Sequence, residues 1–196
     1  MTILGKISVK KKLALLYALK YGAEKAAVKY LVPYNELKQL LSNPEVINLL
    51  NNSEFKFKIL EEAFLSGYDF TEISESISWK DFEELVSKIL LSHGYEVHKN
   101  FRIKKPMREI DVLARKGNIR IAVDCKNWIV KLYNSKMKDI ISRHSERANL
   151  LKRMFKQDKI IPVIVTIYPY KTTKVNDIFI VSINDLKDFI RQIPYI

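Results

Sequence analysis

The run Ile160-Ile161-Pro162-Val163-Ile164-Val165-Thr166-Ile167 contains almost nothing polar. A strand with one face toward water alternates polar and apolar residues, so a continuously apolar one requires burial on both faces. It therefore belongs inside a sheet covered by helices on its two sides. The run is far too short to cross a bilayer, which takes roughly 20 apolar residues. With 47% hydrophobic residues in 196, the chain has the material for one such core and a small appendage.

The elements leading up to this run give the sheet its order. Ser78, followed three residues later by Asp81, reads as the start of a helix from Trp79 to Ser92, with Phe82, Leu85, Val86, Ile89 and Leu90 as its buried stripe. His93-Gly94 ends it. Strands are expected from Tyr95 to Phe101, from Glu109 to Ala114 and, after a hairpin turn at Lys116-Gly117-Asn118, from Ile119 to Cys125. A polar helix from about Asn134 to Phe155 leads to the apolar strand, followed by a short strand from Ile178 to Val181 and a helix through Arg191 capped by Asn184. The reading is an α/β domain with a mixed central sheet, in the order αβββαβ, over residues 76–196.

Residues 1–75 read differently. Helices are expected from Lys11 to Tyr21, Ala23 to Leu31, Asn35 to Leu41 with Asn35 as cap, and Glu54 to Ser66, with Asn43-Pro44 and Asn51-Asn52-Ser53 as punctuation. Two short helices across Val32-Pro33-Tyr34 form a helix-turn-helix-like pattern, which suits either DNA binding or a packing and dimerisation module.

The charge balance is the first clue to function. Lys and Arg number 34 against 22 acids, a net of +12. Almost all of the excess lies after residue 75, and every arginine lies after residue 100. A planar fork suits phosphate oxygens, so this distribution suggests a polyanionic partner there; a lysine-biased surface is the alternative reading. Cys125 is the single cysteine and fits a reducing cytosol. The start Met1-Thr2-Ile3-Leu4-Gly5-Lys6 lacks a signal-peptide pattern, so a cytoplasmic location without a membrane partner is expected. No glycine-rich phosphate loop implies a nucleotide cofactor, and no Cys/His cluster implies zinc.

Asp111 and Asp124 each interrupt an apolar strand. Carboxylates there are costly to bury unless paired or bound to a cation. If the Lys116-Gly117-Asn118 turn pairs their strands, both lie toward the end of the ladder remote from it and can approach each other. Two hard oxygen donors make a Mg2+ or Mn2+ site. Lys126, two residues beyond Asp124, shares its face and could help a water attack a phosphate. Read alone, Asp124-Cys125-Lys126 fits a surface salt bridge or an edge-strand gatekeeper better than a metal site.

Trp79-Lys80-Asp81-Phe82-Glu83, Gly94-Tyr95-Glu96-Val97, Asn100-Phe101-Arg102, Glu109-Ile110-Asp111-Val112 and Val123-Asp124-Cys125-Lys126-Asn127-Trp128 occur in an order that resembles the PD-(D/E)xK nuclease superfamily. The resemblance is strongest to archaeal predicted endonucleases related to Mrr-like restriction enzymes and Holliday junction resolvases. It implies a restriction-endonuclease-like core in which Asp111, Asp124 and the Cys125 carbonyl bind the metal. Glu83, rather than its neighbour Glu84, would be an outer acidic residue, Lys126 the catalytic lysine, and Glu109 a supporting acid. Ile110 stands where the superfamily's name has proline, and His144 where relatives often carry glutamine. The activity implied is a Mg2+- or Mn2+-dependent DNA endonuclease of repair, recombination or restriction, with a homodimer as one arrangement. The alternative is a DNA-binding protein retaining the fold without catalysis. Arg102, Lys104, Lys105, Arg108, Lys131, Arg143 and Arg147 flank the proposed site in sequence and are the candidate DNA contacts.

Overall fold

Buried apolar strands organise one part of this chain and a helix buried along its middle organises the other. The computed structural model describes residues 3–126, 134–168 and 173–195, and the chain divides into two compact units, Met1–Ile77 and Ser78–Ile196.

The first unit is helical: α1 (Val9–Tyr21), α2 (Ala23–Tyr30), α3 (Tyr34–Leu41), α4 (Pro44–Asn51), α5 (Ser53–Leu65) and α6 (Phe70–Ile73). Every residue of α1 from Lys12 to Ala18 is buried, so the middle of this helix is enclosed, with α2, α3 and α5 packed against it. Even Lys12 is buried, its Nζ held 2.7 Å from Glu62. α4 corrects the reading of its segment as punctuation. Asn43 accepts from the Glu45 N–H and Pro44 occupies the first turn, so the turn-forming residues here begin a helix. Asn35 is likewise not a cap; α3 starts one residue earlier, after Pro33, and has no side-chain cap.

The second unit begins with α7 (Trp79–Ser92), whose capping box pairs Ser78 with Asp81 in both directions. Gly94, at φ +79°, turns the chain out of α7 with a backbone conformation unfavourable to other residues. Three antiparallel strands follow, β1 (Glu96–Ile103), β2 (Arg108–Lys116) and β3 (Ile119–Lys126), then α8 (Asn134–Met154) and β4 (Lys159–Thr166). β5 (Thr173–Val175), β6 (Ile178–Ser182) and α9 (Leu186–Gln192) complete it.

The sheet is mixed, in the order β1-β2-β3-β4-β6-β5. β3 pairs antiparallel with β2 and parallel with β4, the latter through the α8 crossover that a parallel connection requires. Ile160 to Thr166 are all buried, as the apolar run demands. α8 lays Ala148 and Leu151 on Leu113, Ala122 and Ile160, and Met137 and Ile141 on Ile164, Ile178 and Ile180. It thus covers the face of β3 that carries Ala122, and by alternation Asp124. β5 is an addition to the expected strands, too short and polar for its pattern to show. α9 follows a 3-10 turn over Ile183–Asp185, and no side chain caps it, so Asn184 does not have the expected role. Among the described residues, no helix is long and apolar enough to cross a membrane.

Candidate active site

The β2–β3 ladder runs from Lys116 opposite Ile119 to Val112 opposite Val123. Extending it by one step sets Asp111 across from Asp124, at the end remote from the turn. There the pairing changes from backbone to side chain: the Cys125 N–H donates to Asp111 Oδ2 at 2.7 Å. Asp111 is thus held against the backbone of the neighbouring strand.

Asp124 is 2% exposed, and both of its oxygens carry a cation. Lys126 Nζ lies 2.7 Å from Oδ2, and Arg147 Nη1, from α8, lies 2.8 Å from Oδ1. Lys126 also reaches the Cys125 carbonyl at 3.4 Å. The i, i+2 alternation of a strand sets Asp124 and Lys126 on one face; the contact with Arg147 depends on the helix packed above.

Glu83 enters from the middle of α7, is 6% exposed, and its Oε1 has no hydrogen-bond partner. Burial, then repulsion from Asp111 and Glu109, pushes its carboxyl up to about 7. Asp111 is raised too, first by burial and then by Asp124, with the Cys125 N–H, Lys126 and Arg147 acting against the shift. Glu84 points elsewhere, to Lys99 of β1. Glu109 pairs with Arg102 at 3.1 Å while remaining close enough to raise Glu83.

Among the described residues no group of three or more His, Cys, Asp or Glu side chains is already gathered in the arrangement of a metal centre. The donor chemistry nevertheless fits a hard divalent cation. All the candidate donors are oxygens, one carboxylate oxygen is buried without a partner, and two acids are lifted by burial and mutual repulsion that a cation would relieve. Cys125 is buried, and burial followed by Asp111 pushes its thiol well up, which makes it inert as a nucleophile.

His144 is the residue the sequence pattern left least defined. It is fully buried on α8, its Nε2–H donating to the Ala122 carbonyl at 3.0 Å and its Nδ1 unpartnered. Burial pushes its pKa down to about 4, so the ring is neutral. It stands one helical turn before Arg147 and anchors that part of α8 to β3. A histidine at i and an arginine at i+3 on a polar helix was the available signal for this pair.

The candidate DNA contacts separate into groups. Lys104 and Lys105 are exposed at the β1–β2 hairpin, and Arg143 is exposed on α8. Arg102 and Arg108 form ion pairs with Glu109 and Glu146. Arg147, expected as a phosphate contact, has its guanidinium engaged by Asp124. Lys131 lies outside the described residues, as do Trp128 and Tyr133.

A six-stranded mixed sheet flanked by helices, with an acidic pair where β2 and β3 part, is consistent with a restriction-endonuclease-like α/β fold. Residues 74–148 match the family model described as restriction endonuclease, the Mrr-type catalytic domain. The match covers the first part of the second unit and is consistent with the PD-(D/E)xK nuclease superfamily. No curated protein matches the chain.

Proposed function

We propose that this protein is a metal-dependent DNA endonuclease. The observation that carries the reading is the convergence of Asp111, Asp124 and Lys126 at one end of the β2–β3 pair, within a matched restriction endonuclease domain. Asp111, Asp124, Glu83 and the Cys125 carbonyl would hold Mg2+ or Mn2+, which would supply a more acidic water and neutralise phosphate charge.

The remaining work belongs to the chain itself. The Lys126 ammonium is fixed beside Asp124, where it can orient the attacking water and stabilise negative charge on the phosphate. Arg147 holds the other oxygen of Asp124 and so restricts that carboxylate's rotation. Asp111 is oriented by the Cys125 N–H. Glu83, its proton held at ordinary pH more readily than a free glutamate's, can exchange a proton with water near neutrality.

The test is cleavage of plasmid, single-stranded and branched DNA with Mg2+, Mn2+ or EDTA by the wild type, Asp124→Ala and Lys126→Ala. Metal-dependent cleavage that both substitutions abolish is the expected result; cleavage that persists in EDTA or in both variants overturns the mechanism. One observation favours a second reading, DNA binding without catalysis: both Asp124 oxygens are occupied by cations. DNA retardation with no heat of Mn2+ binding in calorimetry would decide for it.

A further inference from the structure

β1 and β2 close with Ile103 opposite Arg108, leaving Lys104-Lys105-Pro106-Met107 as the hairpin tip. This tip lies at the end of the sheet where Asp111 and Lys126 lie, opposite the Gly117 turn. Met107 is four residues from Asp111, roughly 13 Å along an extended chain. That distance corresponds to about four base pairs of duplex at 3.4 Å each.

Three properties of the tip need a joint explanation. Met107 is 81% exposed, a large apolar side chain held in water. Lys104 and Lys105 beside it are exposed and have no acidic partner among the described residues. The two arginines at the base are, in contrast, tied down, Arg102 to Glu109 and Arg108 to Glu146. The base thus carries paired cations, while the tip projects an apolar side chain just after two cations with no acidic partner among the described residues. A surface cavity of about 610 Å3 opens beside it, lined by Arg102, Ile103, Lys104, Met107, Arg108 and Glu109. A protein surface or a lipid would not require the unpaired lysines and the apolar side chain within reach of a phosphodiesterase centre. Nucleic-acid wedges need that combination, because an apolar side chain enters between base steps while cations hold the adjoining phosphates.

We propose that the β1–β2 hairpin tip is a DNA wedge, with Met107 entering a base step about four base pairs from the cleaved phosphate and Lys104 and Lys105 on the adjoining phosphates. This rests on the nuclease reading and names its substrate class: DNA whose steps open at low cost, such as mismatched, nicked or branched duplex, over regular duplex. Unstacking costs a few kcal/mol per step in ordinary duplex and less where pairing is already broken.

The experiment uses the full chain in EDTA with duplexes carrying 2-aminopurine at successive positions across a mismatch or nick. Wild type should raise the fluorescence at one step. Met107→Ala should remove most of that rise and weaken binding by about tenfold or less, and Met107→Leu should restore it. Replacing both Lys104 and Lys105 by Ala should lower the dependence of log affinity on log salt by about two units. An unchanged rise in Met107→Ala, or no rise with wild type bound, overturns the wedge and leaves the nuclease reading standing. No binding of any DNA by the wild type overturns both.

Discussion

The two sides of the candidate site handle buried negative charge in opposite ways. On the β3–α8 side, Asp124 is almost fully buried, with Lys126 and Arg147 each holding one oxygen. On the α7–β2 side, Glu83 is buried with an oxygen unpartnered and Asp111 has one backbone N–H as its hydrogen-bond donor, and both are pushed toward their neutral forms. On one side the buried charge is matched by cations. The other is left uncompensated, as expected of groups whose partner arrives with the reaction.

This contrast can be broken at several points. The largest expected effect is that of Lys126→Ala, which should lower single-turnover cleavage of supercoiled plasmid by about 10²–10⁴-fold, the usual span for a general acid–base group. The domain should remain folded, because Arg147 still compensates Asp124. Cleavage within a factor of a few of wild type would remove Lys126 from the chemistry.

Arg147→Met should come next, destabilising the protein by about 2–3 kcal/mol in urea at pH 7, since it strips one cation from a buried carboxylate that retains the other. A variant as stable as wild type would mean that Lys126 alone satisfies Asp124.

His144 tests the same side through pH. Its folded-state pKa, about 4, lies below that of an unfolded histidine, about 6.5, so the unfolded chain takes up the proton first. Stability should therefore fall as pH drops from about 6.5 to 4, by on the order of 2 kcal/mol, and His144→Gln should flatten that part of the curve. Equal slopes in the two proteins would show that His144 is not the titrating group.

Glu83→Gln should have the smallest effect, and the opposite sign. The folded pKa of Glu83, about 7, exceeds that of an unfolded glutamate, so its contribution is fully present below about 4.5 and is lost as pH rises through 7. The glutamine variant should thus be more stable than wild type at pH 8 by on the order of 1 kcal/mol and no more stable at pH 4, with cleavage reduced. Loss of stability at pH 8 would place Glu83 on the compensated side.

Much of this arrangement was legible in the sequence, but unevenly. Strands β1 to β4, α7 and its capping box followed from periodicity and N-cap chemistry, both local. α4 was obscured because Asn43-Pro44 begins a turn and a helix with equal ease, and β5 because three residues carry no readable period. Periodicity did not separate Glu83 from its neighbour Glu84; the resemblance alone preferred Glu83, and in the structure Glu83 is buried while Glu84 pairs with Lys99. Arg147 appeared as one of several cations on a polar helix; its position over Asp124 depends on a crossover spanning more than twenty residues.

The sequence by itself determined that Asp124 and Lys126 share a face, that Asp111 can meet them, and that an apolar strand lies beside them, because the pleat repeats every two residues. Which charges are compensated was decided by the tertiary structure alone. The strength of a buried charge's interactions depends on the neighbours that a packed helix brings within about 3 Å and on the water it excludes, and neither is encoded in local spacing.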